Sequence, residues 1–140
     1  MIIENDCLQK YGVPELESNM TLLIVPKLYQ FCGKIPKRIY CNKDLKGKLI
    51  DALQNIQERG LCHLLESWDG CFNIRKSKGN YNKYSLHSWG IAIDINSKTN
   101  GYNKIPQMDL NLVQCFIDAG FDWGGFWKIK DGMHFQLNEI

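Results

Sequence analysis

With 140 residues and a mass of 16.2 kDa, the chain has room for one domain and little for a second, and a single domain over residues 1–140 is expected. Its 44% hydrophobic and 23% charged residues are those of a globular protein with an ordinary core. Its 17 basic against 15 acidic side chains leave a net charge of +2, too small and too scattered for a nucleic-acid footprint.

The chain opens with Glu4 and Asp6 where a secretory leader needs a basic start followed by an apolar stretch, so no signal peptide is expected. Residues 5–11 predict a short helical turn closed by Gly12 and Pro14. The apolar run at 22–25 is far below the roughly 20 residues a membrane span needs. Segments 21–25 and 38–40 read as short strands. A helix then begins after Asn42 or Asp44 as cap, carries Leu45, Leu49, Ile50, Leu53 and Ile56 on one face, and stops at Gly60. Segment 61–65 reads as a further strand, with His63 assigned to the core or the surface. The polar stretches 75–84 and 97–105 read as exposed loops flanking a strand at 91–95. A second capped helix follows Asp109, with Leu110, Leu112, Val113, Phe116 and Ile117 on its apolar positions and Gly120 at its end. Phe121, Trp123, Phe126 and Trp127 read mainly as core packing, with one or two rings free to line a cleft, and 133–137 as a last strand. Strands and helices without regular alternation imply an α+β fold, a small antiparallel sheet with helices packed against it.

Six cysteines with no Cys-x-x-Cys pair and no leader read as reduced, mostly buried thiols. The equal nine-residue steps from Cys32 to Cys41 and from Cys62 to Cys71 keep a disulfide reading open.

The chemistry concentrates around two of the three histidines. His87 is followed by Asp94, and His134 is preceded by Asp131. Imidazole and carboxylate are the protein groups that hold catalytic zinc, three at a time with a fourth position open, and His87, Asp94 and His134 supply that count. The offset of seven from His87 to Asp94 would place them on opposite faces of a straight strand, so a bend must intervene, and Gly90 is the candidate. Asp94 between Ile93 and Ile95 needs a partner or a metal, although a strand-end hydrogen bond would also serve it. Asp131 can act as a general base beside a metal, or simply form a turn with Gly132. Arg75 offers a permanent charge for an oxyanion, or is a solvated loop charge beside Lys76 and Lys78; Arg38 and Arg59 are less well placed. Ser85 can orient a ligand or bond to backbone.

Two stretches carry a resemblance. Residues 85–94, SLHSWGIAID, have the form S-x-H-x-x-G-x-A-x-D, and residues 131–136, DGMHFQ, the form acid-x-x-His. Together they resemble the zinc D-alanyl-D-alanine carboxypeptidase family, which includes vancomycin-resistance D,D-peptidases and phage L-alanyl-D-glutamate endopeptidases. Residues 70–80, GCFNIRKSKGN, resemble the segment that brings the family's arginine to the site, and residues 120–127, GFDWGGFW, the Gly/Trp segment of the endolysin branch.

The resemblance implies a hedgehog/D,D-peptidase-like α+β fold and one zinc ion on His87, Asp94 and His134. It further implies a general base at Asp131 and an oxyanion-stabilising Arg75; substrate contacts are expected from Ser85 and Trp127. Asp131 stands where the dipeptidase members carry Glu, as the endolysin-like branch also does, and Gln136 stands where Glu is also frequent without being a ligand. The implied activity is hydrolysis of an amide in peptidoglycan stem peptides by an L-alanyl-D-glutamate endopeptidase. A D-alanyl-D-alanine carboxypeptidase and a non-catalytic zinc-stabilised binding module are the alternatives. The implied partner is the bacterial wall or its stem peptides, with neither nucleic acid nor membrane. A monomer is expected, held in the cytoplasm of the producing cell until its release to the wall.

Overall fold

The computed structural model describes residues 1–140, and its architecture follows from where the helices are capped. Helix α1 spans Glu4–Tyr11 and opens with the Asp6 carboxylate accepting from the Ile3 N–H. Strands β1 (Met20–Ile24) and β2 (Arg38–Asn42) pair antiparallel as a separate two-stranded sheet, with Leu22 opposite Tyr40. Helix α2 spans Lys43–Glu58, and of the two candidate caps Asn42 is the one used: its Oδ1 accepts from the Asp44 N–H at 2.9 Å. The Asn42 amide also donates to the Trp89 carbonyl, so the cap fastens α2 to the segment that carries His87.

Strands β3 (Trp68–Gly70), β4 (Ala92–Ile95), β5 (Phe121–Trp123) and β6 (His134–Leu137) form the antiparallel sheet that carries the site, in the order β3-β4-β6-β5. Helix α3 (Leu110–Asp118) starts where Asp109 Oδ1 accepts from the Asn111 N–H at 2.8 Å. Phe116 of α3 packs against Phe121 and Phe135 of the sheet, with ring centroids 5.5 and 4.4 Å apart. Arg59, just past α2, pairs with Asp118 of α3 at 2.7 Å and ties the ends of the two helices together. The mixed class and the antiparallel sheet are as the sequence implied. No helix is long and apolar enough to cross a membrane.

Three expectations need correcting. Segment 61–65 is not a strand: Cys62–Leu64 is a 3₁₀ turn, closed by the Leu64 N–H on Leu61 and the Leu65 N–H on Cys62. An apolar run this short does not distinguish a strand from a buried turn. Strands β3 and β5, three residues each, went unrecognised because their pairing comes from neighbours distant in sequence. Finally, not all cysteines are free: Cys32 and Cys62 form a disulfide that ties the loop after β1 to the turn after α2. Cys7, Cys41, Cys71 and Cys115 are buried free thiols, as expected. Neither nine-residue step is the pairing, because the bridge joins the first member of each.

Candidate metal centre and active-site cleft

Alternation along two paired strands builds the centre. Asp94 of β4 lies directly opposite His134 of β6, and Ala92 opposite Gln136. These four share one face of the sheet, while Ile93, Ile95, Phe135 and Leu137 fall on the other. His87 arrives from outside the sheet, on a 3₁₀ turn at Leu86–Trp89 that ends in Gly90 with φ +67°. Gly90 is thus the bend the odd offset demanded. A side chain there would also meet the backbone nitrogen of Asn42 at 2.8 Å, so glycine is required for space as well as for conformation.

The three predicted ligands converge. His87 Nε2 is 3.2 Å from Asp94 Oδ1 and 3.2 Å from His134 Nδ1, and His134 Nδ1 is 3.5 Å from Asp94 Oδ1. The outward nitrogens settle which atoms carry protons. His87 Nδ1 lies 2.7 Å from the Cys71 carbonyl, which can only accept, so Nδ1 bears the hydrogen and Nε2 presents a lone pair inward. His134 Nε2 lies 3.0 Å from Gln136 Oε1, again an acceptor, so its Nδ1 presents a lone pair to the same point. Asp94 Oδ1 is buried there with no hydrogen-bond partner. With both rings neutral, the two inward nitrogens and Asp94 Oδ1 face one another as lone-pair donors, a set that could hold a cation.

The titration tendencies agree with that reading. Burial opposes ionisation of Asp94, but the His134 and His87 rings beside it hold its carboxyl well below the usual carboxylate range. Burial depresses His134, and the Asp94 carboxylate beside it reverses the sign so that the ring is raised overall. The pocket favours positive charge among these groups.

Asp131 and Arg75 reach the same place by different routes. Asp131 sits in the turn before β6, where the His134 N–H donates to its carbonyl at 3.1 Å. Its own N–H donates to the Gly124 carbonyl, and a side chain at Gly124 would collide with the Asp131 backbone. Asp131 Oδ2 is 4.0 Å from His134 Nδ1, and Oδ1 is buried without a partner. Burial lifts its carboxyl above the ordinary value; His134 pulls it back, while Asp94 pushes with burial. Arg75 is anchored by its backbone: its carbonyl accepts from Ser85 N–H at 2.9 Å and from Ser88 Oγ at 3.0 Å. Its guanidinium lies 4.0 Å from Asp94 Oδ2, so it flanks the cluster and is not a remote loop charge.

A cleft of about 490 Å³ opens above the cluster, lined by Asp94, Asp131, His134 and Arg75 together with Ser85 and Trp127. His87 lies beneath its floor, fully enclosed. The Trp127 ring tilts over His134 at 5.3 Å, whereas Trp123 belongs to the core and Phe126 is exposed. Ser85 lines the wall, but its Oγ accepts from the His87 N–H, which caps the turn. His63 has no part in the cluster.

Several lining residues carry no local sequence signal. The loop at 76–84 is a lip closed by a bridge between Lys76 and Tyr84, and it brings Lys78 and Lys83 to the cleft, neither in an ion pair. The Ile2 and Glu4 wall is purely tertiary: the Ile2 carbonyl accepts from Gln136 and the Glu4 carboxylate from the Tyr84 N–H. Gln136 alone was within reach of sequence reasoning, because it stands two residues after His134 on the same strand face.

Residues 78–137, which hold all three converging side chains and Asp131, match the model of a family described as D-alanyl-D-alanine carboxypeptidase. The matched segment is similar to that family and covers 60 of the 140 residues. No curated protein and no solved structure matches the chain. That match supports a peptidase of the D-alanyl-D-alanine carboxypeptidase type, and the His87, Asp94 and His134 cluster could hold a metal ion. Arg75 lies just outside the matched segment and joins the site through the hydrogen bonds to Ser85 and Ser88.

Proposed function

We propose that the protein is a zinc metallopeptidase that cuts the L-alanyl-D-glutamate bond of peptidoglycan stem peptides. His87, Asp94 and His134 hold one zinc ion in this reading. The observation that carries it is the convergence of three candidate ligand atoms on one point, beneath a cleft that also contains an unbonded carboxylate. Zinc, when bound, supplies Lewis acidity to a carbonyl oxygen and to an attacking water.

The chain's own groups supply the rest. Asp131 accepts the proton of the attacking water at its carboxylate and returns it to the leaving amine. Burial raises its proton affinity, which suits a group that must both take and give a proton near neutral pH. Arg75 holds a fixed charge beside the cluster, where negative charge develops on the carbonyl oxygen. Trp127 forms an apolar wall over His134, and Lys78 and Lys83 on the lip face a substrate rich in carboxylates. No covalent enzyme intermediate is involved, consistent with the burial of all four free thiols.

The segment with two adjacent glycines and Trp127 supports the endopeptidase branch, as does Asp131 in place of Glu. The family's description supports a second reading, removal of terminal D-alanine. The test is incubation of metal-quantified protein with purified peptidoglycan, with and without chelator, followed by mass spectrometry of the released ends, with Asp131→Ala as control. New L-alanine and D-glutamate ends that need both metal and Asp131 are the expected result. Loss of terminal D-alanine alone establishes the carboxypeptidase, and a lack of any metal-dependent product on several wall types leaves a zinc-stabilised binding module.

A further inference from the structure

The two histidines of the cluster are oriented by different kinds of group. His87 is held by a backbone carbonyl, that of Cys71. His134 is held by a side chain, and that side chain is itself held at its far end. Gln136 Nε2 donates to the Ile2 carbonyl at 3.0 Å, while Gln136 Oε1 receives the His134 ring at 3.0 Å. An isolated glutamine could present either end of its amide to an imidazole. Here the Ile2 carbonyl accepts only, so the NH₂ must face Ile2 and the oxygen must face His134. An oxygen facing the ring demands a hydrogen on Nε2, and in the neutral ring the second nitrogen, Nδ1, is then bare toward Asp94 and His87.

We propose that Gln136 is a positioning residue of the metal centre: braced by the Ile2 carbonyl, it fixes the tautomer and tilt of His134 so that Nδ1 is the ligand atom. The chain of command runs from the segment before α1, through the middle of β6, to the metal. Gln136 is almost fully enclosed, in a strand paired on both sides, and a buried amide in that position needs both of its bonds. Its two partners account for one donor and one acceptor. The other residues on its face are Ala92 and Asp122 across the neighbouring strands, and neither bonds to the His134 ring.

The ligand assignment rests on the metallopeptidase reading, whereas the tautomer stands apart from it, and the experiment separates the two. Gln136→Met keeps volume and removes both hydrogen bonds; Gln136→Glu keeps an oxygen toward His134. Divalent-ion affinity is measured for wild type and both variants by competition with a chromophoric chelator. The ring is examined in metal-free protein by nitrogen-15 NMR at about pH 8.5, above the ordinary imidazole range. The expected result is a tenfold to hundredfold loss of zinc affinity, roughly that of other outer-shell partners, in Gln136→Met, with recovery to within about threefold of wild type in Gln136→Glu. The wild-type His134 ring is expected as the Nε2–H tautomer and the Met variant's ring as a mixture. A folded Met variant with unaltered affinity and an unaltered tautomer overturns the proposal, as does a wild-type ring protonated on Nδ1. Should Gln136→Met fail to fold, the wild-type spectrum and the affinity of Gln136→Glu decide it, and a loss in Gln136→Glu as large as tenfold counts against it. If wild type keeps the Nε2–H tautomer but binds no divalent ion, it is the metallopeptidase reading that falls.

Discussion

The two faces of the four-stranded sheet follow opposite rules although they are made by alternate residues of the same strands. On one face Ile93, Ile95, Phe121, Phe135 and Leu137 are buried against one another and against Phe116 of α3, with no polar atom to satisfy. On the other, Asp94, His134 and Gln136 are similarly enclosed, but every ring nitrogen there is committed either to an outward bond or to the cluster, and one carboxylate oxygen has no partner. Phe135 and His134 are neighbours in sequence, and a pleat separates a residue of the apolar core from a residue of the polar cluster. Substitutions on the first face should therefore change stability with the site intact, and substitutions on the second should change the site.

The largest effect is expected at Asp94. Asp94→Asn removes the only anionic group of the cluster and should lower zinc affinity by more than the roughly hundredfold ceiling for outer-shell partners, with peptidase activity falling alongside it. Equilibrium dialysis against zinc checks this, and a variant that keeps full metal occupancy breaks the assignment of the polar face. Next is Phe116→Ala, which opens a cavity between α3 and the apolar face and should cost about 3–5 kcal/mol in denaturant unfolding. Metal stoichiometry per folded molecule should not change; if it does, the two faces are coupled more tightly than the alternation suggests.

The disulfide offers a milder test, since Cys32 and Cys62 lie apart from the sheet and enclose a loop of sequence separation 30. Replacing both with serine should cost roughly 2–4 kcal/mol by loosening restraint on the unfolded chain. Metal affinity should hold, because neither residue touches the cleft. A loss of affinity in this double variant, measured on folded protein, would show that the loop after β1 helps to position the site.

What was legible in the sequence divides along similar lines. Helices α2 and α3 were readable because their signals are local: Asn42 and Asp109 as caps, Gly60 and Gly120 as stops, and apolar residues at helical spacing between them. The side chains of the cluster were readable because few residue types do such chemistry and because Gly90 explained the awkward step from His87 to Asp94. Strands β3 and β5 were not, since three residues carry no period and their partners are chosen by the fold. The Cys32 to Cys62 bridge and the Ile2 and Glu4 wall are likewise facts of chain return, not of spacing. Gln136 lies between these cases: alternation puts it on the face of His134, but only the Ile2 carbonyl tells which end of its amide meets the ring.

The smallest effect is expected outside both faces of the sheet, where the Tyr11 hydroxyl donates to Asp44 Oδ2 at 2.6 Å and joins α1 to the first turn of α2. Tyr11→Phe should cost about 1 kcal/mol near neutral pH, as one partly exposed hydrogen bond. The pH dependence has a definite sign. The Tyr11 bond holds the Asp44 carboxyl below its ordinary 3.8, against burial and with help from Lys10 at 3.0 Å, so this contribution is complete above that value and fades as pH falls through the depressed one. Tyr11 itself is shifted upward, first by burial and then by the bond to Asp44, so its share is complete below the ordinary phenol value of 10.0 and fades as pH rises through the raised one. The stability difference between wild type and Tyr11→Phe should therefore be level between those limits and shrink at the acid end. Urea unfolding of both proteins at neutral pH and near pH 3 measures it; a gap that widens in acid would mean that Asp44 is held down chiefly by Lys10 and that the phenol bond is not what secures α1 to α2.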